Sequence, residues 1–167
     1  MFRLLKKDGI NTCIDTAGQP FRPGDEEWLK KFDALLDVTD LFIVDIKTFS
    51  DRAHRELTGH GNANILEMLR YLSAKRKRMW IRHVLVPGVT DDEQELIQIR
   101  EFIATLHRVR RVEILPYHTM GEAKYQKLGM EYKLKGVPAM TKDIALEKKK
   151  VVLEGIRTIR RELGLMK

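Results

Sequence analysis

Polar side chains gather at four places in the chain, each within or just after an apolar run. They are Cys13-Ile14-Asp15-Thr16-Ala17-Gly18, Asp45-Ile46-Lys47, Arg82 inside Trp80-Ile81-Arg82-His83-Val84, and Pro116-Tyr117-His118. Asp15 and Asp45 offer oxygen acceptors for ribose hydroxyls, an ammonium group or a small cation, the last with help from the Thr16 hydroxyl. Lys47 and Arg82 suit a carboxylate or phosphate, the lysine as a point charge and the arginine as a two-pronged fork. His118 can give or take a proton near neutral pH. Together these types describe a pocket for a zwitterionic, nucleoside-like ligand. Each also has a plainer reading. Asp15 would cap the turn it stands in. Asp45 and Lys47 alternate on one strand face and would pair with each other. Arg82 needs a partner in an apolar strand, and Asp45 would serve. His118 would be a satisfied loop histidine.

Other chemistries are excluded or disfavoured. Cys13 is the single cysteine among 167 residues, so the chain holds no internal disulfide and no all-cysteine metal or iron–sulfur site of its own. A reducing, cytoplasmic setting fits that usage. Within a strand, Cys13 reads as a small buried hydrophobe. His54, His60, His83 and His107 lack cysteines or carboxylates at metal-ligand spacing and read as structural or surface groups. Phosphate-loop, serine-hydrolase and zinc-protease signatures are absent. The chain carries 31 Lys plus Arg against 24 Asp plus Glu, a net charge of +7. The basic runs 75–78 and 148–150 lack the interleaved aromatics that stacking on bases requires. They read as solvated helix faces rather than a nucleic-acid surface. No apolar run is long enough for a membrane span, and the N-terminus lacks the features of a signal peptide.

The elements that must position these groups alternate. Strands are expected over 10–16, 40–47, 79–86 and 112–116. The second is nearly continuous in apolar residues, as for a parallel strand covered on both faces. Between them lie helical patterns, with Asp25, Ser50, Asn62 or Asn64, and Thr90 as starting caps, and Thr141 opening a long C-terminal helix. An irregular stretch covers 117–138. The rhythm is βαβ, so the fold class is α/β with a parallel sheet and right-handed crossovers. An open doubly wound sheet and a full or partial (β/α) barrel both satisfy it, and in both the ligand meets the C-terminal strand ends.

Beyond these residue-level readings, the segments 12–18, 38–47, 54–59, 80–91 and 113–121 occur in an order and spacing that resemble the pyruvate formate-lyase activating enzymes, a branch of the radical S-adenosylmethionine enzymes. So do 125–129 and 135–138, and the likeness reaches to about residue 155. The resemblance implies a partial (β/α) barrel holding about four of six parallel strands, with residues 1–167 forming a single incomplete domain. It implies S-adenosylmethionine and a [4Fe–4S] cluster as cofactors. The activity implied is formation of a 5′-deoxyadenosyl radical that abstracts a hydrogen from a glycine of pyruvate formate-lyase. That lyase would be the partner, with a flavodoxin- or ferredoxin-type reductant. Asp15 would lie beside S-adenosylmethionine, Asp45, Ile46 and Lys47 would form the Asp-x-Lys motif, Lys47 and Arg82 would face the ligand's carboxylate or ribose side, and His118 would be a ligand contact. Ala17 replaces the usual Asn or Ser. The family's C-x-x-x-C-x-x-C loop and Gly-Gly-Glu stretch are absent, and residues 1–9 read as the last turns of a helix before the third strand. The expectation is therefore a C-terminal portion that cannot form the radical alone and that self-associates or pairs through exposed strand edges. The alternative is a non-catalytic module that binds S-adenosylmethionine or docks on the lyase.

Overall fold

The computed structural model describes residues 1–165. In chain order the elements are α1 (Phe2–Lys7), β1 (Cys13–Thr16), α2 (Glu26–Leu36), β2 (Leu41–Asp45), α3 (Asp51–Thr58), α4 (Ala63–Ala74), β3 (Met79–Leu85), α5 (Glu93–Thr105), β4 (Val109–Pro116), a 3-10 turn (Thr119–Gly121), α6 (Glu122–Lys127) and α7 (Lys142–Glu162). The four strands are parallel and lie in the order β1-β2-β3-β4. That order decides between the two architectures. A doubly wound sheet reverses direction at a switch point, whereas successive right-handed crossovers that never reverse put every helix on one face. The result is a partial (β/α) barrel.

One-sided cover corrects the expectation for β2. Phe42 and Val44 are buried, while Leu41, Ile43 and Asp45 are only half-buried. In β3 the alternation runs through seven residues, with Met79, Ile81, His83 and Leu85 inside. Met79, Ile81 and Leu85 share one core with Leu36 of α2, Leu69 and Leu72 of α4, and Ile99 and Ile103 of α5. The apolar residues on the other strand face are therefore not helix-covered core. Cys13 is the clearest correction. It is exposed, because it shares the open face with Asp15 on β1, which pairs only with β2 among the described strands.

Local chemistry sets the element ends. The Asp25 carboxylate accepts from Trp28 N–H, and the Ser50 hydroxyl accepts from Ala53 N–H, as helix caps do. Thr90 does not cap α5. Its buried hydroxyl accepts from Val86 N–H at 2.7 Å and donates to the Val84 carbonyl at 2.6 Å, closing the turn after β3. Asp92 caps α5 instead, through Glu95 N–H. Thr141 opens α7 without a side-chain cap bond. β4 starts earlier than expected, with a bulge. Met79 pairs with Val109 but Trp80 pairs with Arg111, leaving Arg110 as the extra residue. Arg111 then lies over the Trp80 ring, 5.2 Å from its centre. Gly18, at φ +73°, lets the turn after β1 approach α4, where a Cβ would meet Met68 at 3.1 Å and the Ile65 backbone at 3.4 Å.

Candidate functional site

Strand register brings three of the predicted residues together and the chain beyond β2 adds a fourth. Asp45 on β2 lies opposite Arg82 on β3, and Asp15 lies opposite Ile43 one strand further. All three side chains are on the open face, near the C-terminal strand ends. Arg82 spans roughly 10 Å of sheet, two strand spacings. Its Nε donates to Asp45 Oδ1 at 2.8 Å and its Nη2 to Asp15 Oδ1 at 2.5 Å. Lys47 Nζ donates to Asp45 Oδ2 at 2.7 Å. The plain reading that Asp45 pairs with Lys47, and with Arg82, is thus observed. The plain reading of Asp15 is not. It is the Thr16 hydroxyl that holds the turn, accepting from Gly18 N–H at 3.0 Å.

Electrostatics follow from this sharing. Burial pushes the Asp45 carboxyl upward, but hydrogen bonds and charge from Lys47, then Arg82, outweigh it and hold the group below the usual carboxylate range. Burial works against the Arg82 charge, and Asp45, then Asp15, more than offset that. The Cys13 thiol is raised by burial and by the Asp15 charge, against a smaller opposing effect of Arg82. The two acids and two bases balance, so the rim is strongly dipolar rather than charged. Asp15 is its outward member, with 57% of its side chain exposed against 21% for Asp45. Ile46 contributes backbone only, since its side chain is buried in the core.

His118 lies two residues past the end of β4, before the 3-10 turn, and is exposed. No ion pair or hydrogen bond among the described residues ties it to the other four. Its neighbour Tyr117 is buried, and the Tyr117 and Tyr132 hydroxyls share a hydrogen bond of 2.8 Å. Burial and that bond push the Tyr132 phenol up to about 12. Tyr117 N–H donates to the Leu85 carbonyl and the Tyr117 carbonyl accepts from Met140 N–H, each at 3.0 Å, which fixes the backbone beside the exposed His118 ring.

Sequence reasoning missed the rest of the open face. Glu113 on β4 lies opposite Arg82, and Arg111 binds Glu113 at 2.8 Å. Their signal was the alternation of β4, hidden by the bulge. A cavity of about 540 Å³ opens on the same face at the N-terminal strand ends, lined by Cys13, Arg78, Trp80 and Arg110 among others. It lies away from the rim.

The donor set fits one of the expected cofactors and not the other. Asp15, Asp45, Lys47, Arg82 and His118 supply the acceptors and cations that a zwitterionic nucleoside needs. For an iron–sulfur cluster, one cysteine with a raised thiol is not a ligand set. Among the described residues no three His, Cys, Asp or Glu side chains are grouped to hold a metal ion. A small cation near Asp15, Thr16 and Asp45 would compete with Arg82 and Lys47 for the same oxygens.

A sequentially wound parallel sheet with a polar rim at its C-terminal ends defines a (β/α)-barrel-type protein. More specifically, the chain belongs to the radical SAM superfamily, whose family model matches residues 1–99; that family works with S-adenosylmethionine and a [4Fe–4S] cluster. The chain is 47% identical over 152 residues to the pyruvate formate-lyase-activating enzyme of Streptococcus mutans, covering 91% of this chain and 57% of that protein. It is 40% identical over 153 residues to the pyruvate formate-lyase 1-activating enzyme of Escherichia coli K12, covering 92% and 60%. It thus spans less than two thirds of these relatives. Among solved structures, a domain of the pyruvate-formate lyase-activating enzyme from Bacteroides vulgatus superposes with a TM-score of 0.72 at 19% identity, covering 92% of this chain and 82% of that one. TYW1 with a lysine-pyruvate adduct bound gives 0.57 at 18% identity, covering 92% and 43%. Both support the fold.

Proposed function

We propose that residues 1–167 act as one incomplete (β/α) unit, the S-adenosylmethionine-binding portion of an activase that forms the glycyl radical of pyruvate formate-lyase. The observation that carries this reading is the continuous Asp15–Arg82–Asp45–Lys47 network on one rim. In this reading Asp15 accepts from the ligand's hydroxyl or ammonium groups. Lys47 and one prong of Arg82 turn from their carboxylates toward the ligand carboxylate. Ile46 offers backbone groups, and His118 closes the adenosine side. S-adenosylmethionine, when bound, supplies the 5′-deoxyadenosyl group that accepts the glycine hydrogen. The cluster and the reductant's docking surface lie with residues outside this chain, in a cytoplasmic setting. A second reading, a non-catalytic binding or docking module, is favoured by the single exposed cysteine.

Calorimetry with S-adenosylmethionine tests the rim. Asp15→Ala and Lys47→Ala are each expected to weaken binding about tenfold, the worth of one charged hydrogen bond. Unchanged affinity in both would remove the reading. Anaerobic reconstitution with iron and sulfide is expected to yield no cleavage of S-adenosylmethionine by this chain alone. Cleavage would show that the ligand set has been misjudged.

A further inference from the structure

Lys47 lies outside β2, yet the chain on both sides of it is fixed. Ile46 N–H donates to the Arg82 carbonyl at 2.9 Å. The Ile46 carbonyl faces His83 Nδ1 at 2.8 Å. A side chain thus continues the pairing of β2 with β3 where the backbone ladder stops. Burial favours the neutral His83 ring, which carries one N–H and so donates to one of the two carbonyls its nitrogens face, those of Ile46 and Thr90. Further on, Asn62 Nδ2 donates to the carbonyls of Thr48 at 3.1 Å and Phe49 at 2.6 Å. The Thr48 hydroxyl donates to the Ser50 carbonyl at 3.0 Å. The N–H groups of Phe49 and Ser50 point at the Glu95 carboxylate, Ser50 at 3.3 Å from its nearer oxygen.

These partners come from three separate elements: the residue before α4, the middle of β3, and the first turn of α5. They are anchored in turn. Asn62 N–H donates to Asp51 Oδ1 at 3.0 Å, and His83 Nε2 faces the Thr90 carbonyl at 3.0 Å. Thr48, Asn62 and His83 are almost wholly buried. No regular element dictates the path of 46–50, and buried backbone groups need partners. Here side chains supply them, so the loop has one low-energy course, and that course ends with Lys47 Nζ on Asp45.

We propose that Asn62, His83 and Glu95 are positioning residues for Lys47, fixing the 46–50 backbone so that its ammonium is held at the rim. The consequence for ligand affinity rests on the proposed S-adenosylmethionine site; the placement of Lys47 does not. A supporting shell of this kind changes affinity without touching ligand, by about 10–100-fold where it has been measured for metal sites.

The test uses Glu95, which is half-buried and replaceable without opening the core. A lysine ammonium gives a resolvable nitrogen-15 NMR signal when hydrogen bonding slows its exchange. Lys6, which binds Asp40 at 2.7 Å at the opposite, N-terminal end of β2, is the internal control. In wild-type protein both ammonium signals are expected. In Glu95→Ala, and in Asn62→Ala, the Lys47 signal is expected to vanish while that of Lys6 stays. Glu95→Gln, which keeps an acceptor oxygen, is expected to restore it. Affinity for S-adenosylmethionine should fall about tenfold in Glu95→Ala and recover in Glu95→Gln. A Lys47 signal absent from wild type, or unchanged in both alanine variants, overturns the proposal. So does joint loss of the Lys6 and Lys47 signals, which would mark a general loosening. If wild type fails to bind S-adenosylmethionine, the functional reading falls while the Lys47 signal still judges the positioning.

Discussion

Replacing Arg82 by Met would cut the rim at its centre while keeping most of the side-chain volume. Two contacts are lost. The one to Asp15 is largely solvent-facing and is worth at most about 1 kcal/mol. The one to Asp45 is a charge-assisted bond with about a fifth of the carboxylate side chain exposed, worth about 1.5–3 kcal/mol. Relief of the half-buried guanidinium's lost hydration offsets part of this. The net expectation is a loss of about 2 kcal/mol at pH 7, or about 4–8 °C in Tm for a chain of this size. The sign of the pH dependence is fixed by Asp45. Its folded pKa lies below the usual value, so its contribution is full above the ordinary carboxylate range and is lost as pH falls through the depressed value. The gap between wild type and Arg82→Met should therefore shrink between about pH 5 and pH 3. Denaturant melts at pH 7, 5 and 3 give the answer. A gap that is the same at pH 7 and pH 3, or below about 0.5 kcal/mol at pH 7, would refute the assignment of Arg82 as the link between two carboxylates.

Two further predictions concern residues that the sequence placed wrongly. Thr90→Val should cost about 1–3 kcal/mol, because it leaves the buried Val86 N–H without its acceptor, whereas Asp92→Ala should cost about 1 kcal/mol, the usual worth of a helix cap. A loss below about 0.5 kcal/mol in either variant, by chemical denaturation, would contradict the role given to that residue. Cys13 should be alkylated in the native protein, with a rate that keeps rising at pH values above the ordinary thiol range; full protection until unfolding would contradict its place on the open face.

The sequence made the framework legible because its periodicities are strong. Parallel strands separated by amphipathic helices follow from spacing alone, and Asp25 and Ser50 start helices by their chemistry. Spacing alone did not choose between open sheet and barrel, since strand order depends on which faces the crossovers cover; the family resemblance implied the partial barrel, and the strand order bears it out. The same cause hid the environment of Cys13 and of β2. An apolar run looks alike whether helices cover one side or two. Asp15, Asp45, Lys47 and Arg82 were legible as a set because parallel strands deliver their ends to one rim. The partners within the set were less so. Whether Arg82 serves one carboxylate or two depends on register, which no local pattern states. Asn62 was legible only as a helix start and His83 only as a structural or surface group, while Glu95 gave no signal, for a related reason. Each looks ordinary in its own element, and only tertiary packing turns all three toward the same five residues.

The sequential order of the strands also bears on how the chain acquires its shape. Every strand lies beside its immediate predecessor, so no pairing has to wait for a distant segment to arrive. Each crossover can close on the sheet edge left by the last, and assembly can proceed stepwise along the polypeptide at modest cost in loop closure. The growing edge is always the newest strand, which makes this part of the barrel suited to forming progressively as the chain is synthesised.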